Sequence, residues 1–400
     1  MPEFDNQLFF KAIYEDPEDD LIEYLQLNKD SLPEDKKEQL ISTIFQRKKW
    51  KTFDYCVDKD LIHTDLFEYD SFNDRSLQPM LMQAKYFNEQ DLTGFLPHFT
   101  GYLKQIDDIN EELAGENFLS YALSEGLPLE MLQAIMESGI RGDFHNKAEE
   151  NYLHLACKQR QNIQPGYPEA VIQLLVDSGA DLNKQNIEGK TPLVILLENQ
   201  RLAKPPAIQL LLDNGADVNS LDKKGITPVF VAAVHLQDSK LVQLLLQYGT
   251  PDFDHANRDG ENLLNGFLRM MTSSAGAVEI LQSLLEHGAS LSATSLYYSK
   301  EKSGIEWVAE KPSDILKSLL DNNQIDVNET DNEGQTVLIK VCKIDANHEE
   351  SVAKDLYRKV KYLLKAGADP GIEDRFDKKA VDYAMTDNTK TKIVEALIEN

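Results

Sequence analysis

His154 and Cys157 lie three residues apart, a spacing that puts both side chains on one face of a helix. A cysteine beside a histidine is the pairing of nucleophilic catalysis, in which the imidazole activates the thiol. Such a site also needs a group to orient the imidazole and donors for an oxyanion, and nothing in the neighbouring sequence suggests either. Cys157 and Cys342 each stand six residues past a matching position, Asn151 and Thr336. That shared register indicates a small core residue rather than a nucleophile. Two acidic stretches, D-V-N-S-L-D from Asp217 and D-V-N-E-T-D from Asp326, resemble the opening of a calcium loop. An EF-hand loop requires a bidentate glutamate at its twelfth position, and here that position is Pro228 or Val337. The Asp and Asn side chains are therefore assigned to turns, where they bond nearby backbone N–H groups. Arg47-Lys48-Lys49-Trp50-Lys51 is the basic cluster of the acidic N-terminal third. It could form a small anion site with Trp50 stacking, but cations closing a helix C-terminus are the stronger reading. No phosphate-cradling glycine loop, metal cluster or triad signature stands out, so no enzyme activity, cofactor or metal is expected.

The elements that carry these residues recur. Thr191 and Thr227 occupy the same place in two copies 36 residues apart, and Gly179 and Gly215 repeat that interval. A fixed period in the thirties signals a stacked repeat. Leu153, Leu193 and Val229 each lie fourteen residues after Gly139, Gly179 and Gly215, so the register holds across three junctions. Second helices end in apolar pairs such as Leu174-Leu175, Leu211-Leu212 and Leu363-Leu364, which bury one helix face against its neighbours. Further upstream, short helix pairs are expected near 5–27, 36–57 and 76–103, the last reading from about 76–83 and 92–103. Of the 33 aromatic residues, 19 lie in 1–121, as expected where short helices need large side chains to bury enough area.

The stretch G-A-D-V-N-S-L-D-K-K-G-I-T-P-V, starting at Gly215, resembles the ankyrin repeat, and so does S-G-A-D-L-N-K-Q-N-I-E-G-K-T-P-L, starting at Ser178. N-Y-L-H-L-A, from Asn151, resembles the family's T-P-L-H-x-A. The resemblance implies an all-α, ankyrin-type repeat solenoid: roughly ten or eleven pairs of antiparallel helices with β-hairpin-like loops. It is specific over 116–400, the repeat array; 1–115 reads as divergent helical repeats or an N-terminal helical cap. It also implies that His154 ties neighbouring hairpins together and that binding uses the concave face of hairpin tips and first helices. Thr before Pro caps the first helix, and Pro at the first helical position loses no needed N–H. Thr-Pro occurs in two units only; Asn151, Asn262, Thr336 and Lys379 fill the Thr place elsewhere. After Gly288, S-A-T-S-L-Y-Y-S-K-E-K-S-G-I-E-W replaces the hairpin signal.

Charge narrows the partner. The chain holds 68 acidic and 41 basic residues, a net charge of −27. Residues 1–140 contribute 29 acids and 12 bases. Such a surface repels nucleic acid and anionic membranes, and it favours a basic protein partner met by a salt-sensitive encounter. Three widely spaced cysteines form no disulfide framework, which suits a reducing compartment. The N-terminal sequence lacks the basic and apolar regions of a signal peptide, and no run of about 18 apolar residues exists to span a membrane. The chain is thus expected to be a cytoplasmic, monomeric, non-enzymatic module that binds a protein. Two narrower roles fit the same features: an acidic immunity or antitoxin-like inhibitor of a basic toxin, and an effector secreted into a host cell without a signal peptide. By register the tips are 185–188, 221–224, 256–259, 330–333 and 373–376. The residues proposed to touch a partner are Ile187, Leu221, Lys223, Arg258, Tyr297, Tyr298, Thr330, Arg375 and Phe376, since apolar and arginine anchors carry binding energy.

Overall fold

The computed structural model describes residues 4–68, 71–72, 77–159, 166–199, 205–347 and 349–400. Residues 1–3 and Ser76, on which the sequence reading touched, lie outside them. The chain divides into two units, Met1–Ala216 and Asp217–Asn400. Each is built from short helix pairs.

In the first unit, Asp5 opens helix Asn6–Tyr14 by accepting from the N–H groups of Gln7 and Leu8. Pro17 precedes helix Glu18–Asn28, whose first turn carries Glu18, Asp19 and Asp20, where the helix dipole favours negative charge. Helices Glu34–Arg47, Trp50–Asp58, Leu77–Ala84 and Glu89–Leu103 follow. They meet in an aromatic core. Phe95 lies 5.3 Å from Phe45, 5.0 Å from Trp50 and 5.5 Å from Phe53 between ring centres. The basic cluster is settled as a helix end. Lys48 takes the left-handed conformation that stops helix Glu34–Arg47 and pairs with Asp91. Lys49 Nζ donates to Asp16 O at 3.0 Å, Lys51 sits 3.6 Å from Asp19, and Arg47 lies over the Tyr14 ring. Trp50 is half-buried, its ring packed against Phe45, Phe87 and Phe95.

Regular pairs then take over: Phe118–Glu125 with Leu129–Glu137, Tyr152–Lys158 with Tyr167–Asp177, and Pro192–Glu198 with Pro205–Asp213. Second helices close at Gly139, Gly179 and Gly215, whose φ values of 97°, 85° and 95° need a residue without a Cβ. Asn117 and Asn151 cap first helices, accepting from the N–H groups of Ser120 and His154. The expected threonine cap holds at Thr227, whose hydroxyl accepts from Phe230 N–H at 3.1 Å. Thr191 stands in the same place with the same extended backbone but makes no cap bond.

The second unit repeats the scheme. Helix Pro228–Phe230 widens into a π-helical turn over Val231–Leu236 and pairs with Ser239–Tyr248. Leu263–Met270 pairs with Ala275–Glu286, and Gly304–Glu310 with Ser313–Asp321. Val337–Lys343 pairs with Glu350–Lys365, and Ala380–Ala384 with Thr391–Ile398. Lysines from later helices close the carbonyl ends of the first helices. Lys311 Nζ donates to Arg269 O and Met271 O, Lys359 to Ala309 O at 2.8 Å, and Lys390 to Cys342 O at 3.0 Å. The stretch without a hairpin signal forms a real ribbon: Thr294–Tyr297 pairs antiparallel with Lys300–Ser303. Its two-residue turn puts Tyr298 and Ser299 at φ 47° and 63°, a conformation usually signalled by Asn-Gly. A shorter ribbon in the first unit pairs Phe67–Glu68 with Ser71–Phe72.

Candidate interaction surface

Every regular hairpin is built on one Asp or Asn that folds the turn around its own side chain. Asn186 Oδ1 accepts from the N–H groups of Glu188 and Lys190, and Asp222 Oδ1 from those of Lys224 and Ile226. Asn146, Asn257, Asp331 and Asp374 do the same. Adjacent tips are then joined backbone to backbone. In the first unit Ile187 N–H donates to Ala148 O at 2.9 Å. In the second, Arg258 N–H reaches Lys224 O, Leu296 N–H reaches Gly260 O, and Arg375 N–H reaches Glu333 O, at 2.9, 3.0 and 2.9 Å. Gly225 shows how tight the approach is: a Cβ there would sit 3.1 Å from Asn257 Cα.

A second set of rungs runs below the tips. In each Asp-x-Asn the Asp side chain accepts from the Asn N–H, and the Asn amide crosses to the next loop. Asn183 Nδ2 donates to Gly215 O at 3.0 Å, Asn219 to Thr250 O at 3.3 Å, and Asn328 to Gly367 O at 3.0 Å. These are the turn roles assigned to Asp217 and Asp326 in place of calcium binding. The sequence reading missed Asn110, which donates to Gly139 O at 3.2 Å in the same way. Its signal was the D-I-N from Asp108, spelled like the D-L-N and D-V-N of later units.

His154 completes the ladder. It is fully buried, and its Nε2–H donates to Lys190 O of the next hairpin at 3.0 Å. That leaves Nδ1 to accept the Asn151 N–H at 3.3 Å. Both ring nitrogens are thus occupied. Burial holds the imidazole below its ordinary pKa, against the pull of the Lys190 hydrogen bond and the Glu150 charge. Burial also pushes the Cys157 and Cys342 thiols up to about 12, which removes the thiolate that reactivity requires.

The nine residues proposed from sequence are all exposed. Ile187 stands on a tip of the first unit, 52% exposed, and the others belong to the second unit. Leu221, Lys223 and Arg258 lie on two adjacent tips joined by the Lys224–Arg258 bond. Arg375 pairs with Glu333 at 2.8 Å and lies 4.7 Å over the Phe376 ring. Tyr297 and Tyr298 crown the ribbon with rings 4.6 Å apart, and Tyr297 packs 4.9 Å from Trp307. Lys302 sits 3.5 Å above the same Trp307 ring. Thr330 stands apart from these, on the rim of a recess near Asp331 and Lys340. Leu296, also exposed beside Tyr297, was missed because the ribbon itself was not foreseen.

No helix among the described residues is long and apolar enough to cross a membrane. The profile of the family described as ankyrin repeats (3 copies) matches residues 119–221, 163–257 and 201–295. Among curated proteins, the ANK repeat-containing protein nipk-1 of Caenorhabditis elegans is 27% identical over 147 residues. That match covers 36% of this chain and 23% of the relative, so the chain spans under a quarter of the relative's length. The crystal structure of the ankyrin repeat domain of Bcl-3, a unique member of the IkappaB protein family, superposes with a TM-score of 0.48 at 21% identity, covering 64% of this chain and 100% of that one. The 36-residue register, the hairpins bonded tip to tip, the buried cross-hairpin histidine and the profile match converge: the chain carries ankyrin repeats over residues 119–295.

Proposed function

We propose that this array binds another protein through its concave face, the side made by hairpin tips and first helices, and that it catalyses no reaction. Ankyrin repeats are in general protein-interaction modules, and the coarser reading rests on that membership. The observation that carries the finer one is the contrast at the tips. Their backbones are locked by turn side chains and tip-to-tip bonds, yet Leu221, Tyr298 and Phe376 project into solvent at 41%, 86% and 56% exposure. Apolar side chains held on a pre-organised backbone lose little entropy on binding, the condition under which anchors give affinity. The net charge of −27 favours a basic partner, and screening makes its capture salt-sensitive. Three buried, unbridged thiols support a reducing, cytoplasmic setting, and a monomer suffices for the role.

The test is capture of the partner from native cells on immobilised full-length chain, followed by surface plasmon resonance. Leu221→Ala and Phe376→Ala should each speed dissociation by roughly tenfold, with little change in association. Gln243→Ala, on the exposed side of a second helix, should behave as wild type. Tip variants that bind normally while Gln243→Ala weakens binding overturn the assignment.

A further inference from the structure

We propose that a break in the rung ladder at Ser292 forms a receptor cleft for one basic side chain, arginine or lysine, of a protein partner; this rests on the reading of the chain as a protein binder. Ser290-Leu291-Ser292 holds the place of Asp-x-Asn. Ser292 N–H bonds Ser290 Oγ at 3.2 Å, as Asn219 N–H bonds Asp217 Oδ1 at 2.8 Å. Where the asparagine amide would cross to the next loop, the shorter serine turns back, and its hydroxyl lies 2.7 Å from Ser290 Oγ. The loop it would have reached contains Asn323, which takes at φ 54° the left-handed place held elsewhere by Gly215 and Gly367. A cleft of about 550 Å³ opens at this point, between the end of helix Ala275–Glu286 and the loop after helix Ser313–Asp321. A narrower recess that shares Ser292, Ile305, Asp326 and Glu329 leads on to Asp331 and Lys340.

The lining selects the ligand. Leu285, Leu291, Ile305 and Ile325 supply apolar wall. Glu286, Asp326 and Glu329 supply carboxylates, and no lysine or arginine lines the larger cleft. A bare metal ion does not fit: no three His, Cys, Asp or Glu among the described residues are grouped to hold one. The complementary ligand instead carries donors and positive charge on an aliphatic stem, which the apolar wall can cover. Lys340 sets the depth. It is already committed to Asp331 at 2.6 Å and to Glu306 at 3.5 Å, and its charge keeps a second cation at the carboxylate rim.

The experiment titrates the full chain with Nα-acetyl-arginine amide, Nα-acetyl-lysine amide, neutral Nα-acetyl-citrulline amide and spermidine, followed by saturation-transfer NMR. Either basic derivative should bind in the range of about 1 mM, as expected for one side chain, and citrulline should bind at least tenfold more weakly. Glu329→Gln should weaken binding roughly two- to fivefold, since it removes one exposed charge. Ser292→Asn should restore the rung, raise the melting temperature and reduce binding at least tenfold. If Ser292→Asn does not fold, the double variant Glu286→Gln/Glu329→Gln decides, because both side chains are exposed. Citrulline binding as well as arginine, or Ser292→Asn binding as wild type, overturns the proposal. Spermidine binding more tightly than both amino-acid derivatives would make the occupant a free polyamine and overturn it equally. These probes do not engage the tips, so their failure leaves the tip surface standing, and normal binding by the tip variants leaves the cleft standing.

Discussion

His154→Ala tests the joint between two repeats, and its cost can be worked out from the contacts. The ring is fully buried. Truncation leaves Lys190 O without its donor at 3.0 Å and Asn151 N–H without its acceptor at 3.3 Å. An orphaned polar group costs about 1–3 kcal/mol when buried; Lys190 is only half-buried, so the lower end applies. The emptied ring volume adds about 2 kcal/mol, below the usual value for phenylalanine because imidazole is smaller and more polar. With about 1 kcal/mol for each of the two orphaned groups, the sum is about 4 kcal/mol at pH 7.5. The pH dependence gives a second reading. Burial holds His154 below its unfolded pKa, while Glu150 pulls upward and Lys158 and Lys184 push further down. On acidification the unfolded chain therefore takes the proton first, near pH 6.5. The stability that neutral His154 confers is complete above that pH. It falls as pH drops toward the folded pKa, by up to about 1.4 kcal/mol per pH unit. Glu150 is also held low, its buried carboxyl relieved by Lys158 and Asn146, but its unfolded value of 4.5 places that loss in a more acidic window. The gap between wild type and variant should thus shrink from pH 7.5 to pH 5. The assay is hydrogen exchange by mass spectrometry over 151–158 and 191–198, because a repeat array opens in parts. Unchanged protection in the variant at pH 7.5, or a gap that does not move with pH, would refute the argument.

Gly215→Val should cost at least about 1 kcal/mol, read from a urea midpoint, because a β-branched residue resists φ 95°. The thiols of Cys157 and Cys342, held at about 12, should not react with Ellman's reagent at pH 8 until the chain is unfolded, and Cys157→Ser should alter stability without altering partner binding. Rapid labelling of the native chain would contradict the burial argument. Lys359→Met should cost about 2–3 kcal/mol in thermal or urea unfolding, since it strips the donor at 2.8 Å from Ala309 O and the cation at 3.1 Å from Asp355. A neutral effect would mean that methionine packing offsets both losses.

What could be read in advance were the residues whose side chains serve the backbone. Gly215 is spelled by a φ that only glycine adopts cheaply, Asn219 by a rung that needs an amide, and Asp222 by a turn wrapped around a carboxylate. Chemistry demands those types at those positions, so the register is visible in a single chain. Lys359 and Lys390 were not readable. A lysine in a helix looks like a solvated charge, and the carbonyls that bury these two lie 50 and 48 residues earlier. Nor was the Tyr298–Ser299 turn, whose left-handed residues have no preference for that shape and are held there by strand pairing and the packing of Tyr297 on Trp307. The same logic separates the two kinds of candidate binding residue. Leu221 and Phe376 occupy exposed tip positions, so their location follows from the register, while the turn chemistry around them does not fix their identity. Ser292 is a different case. The rung asparagine is replaced there, as it is by His145 and Asp254. Among the described residues, only at Ser292 does the gap border a cleft lined by Glu286, Asp326 and Glu329, which is why the receptor role proposed for it depends on the lining and not on the gap alone.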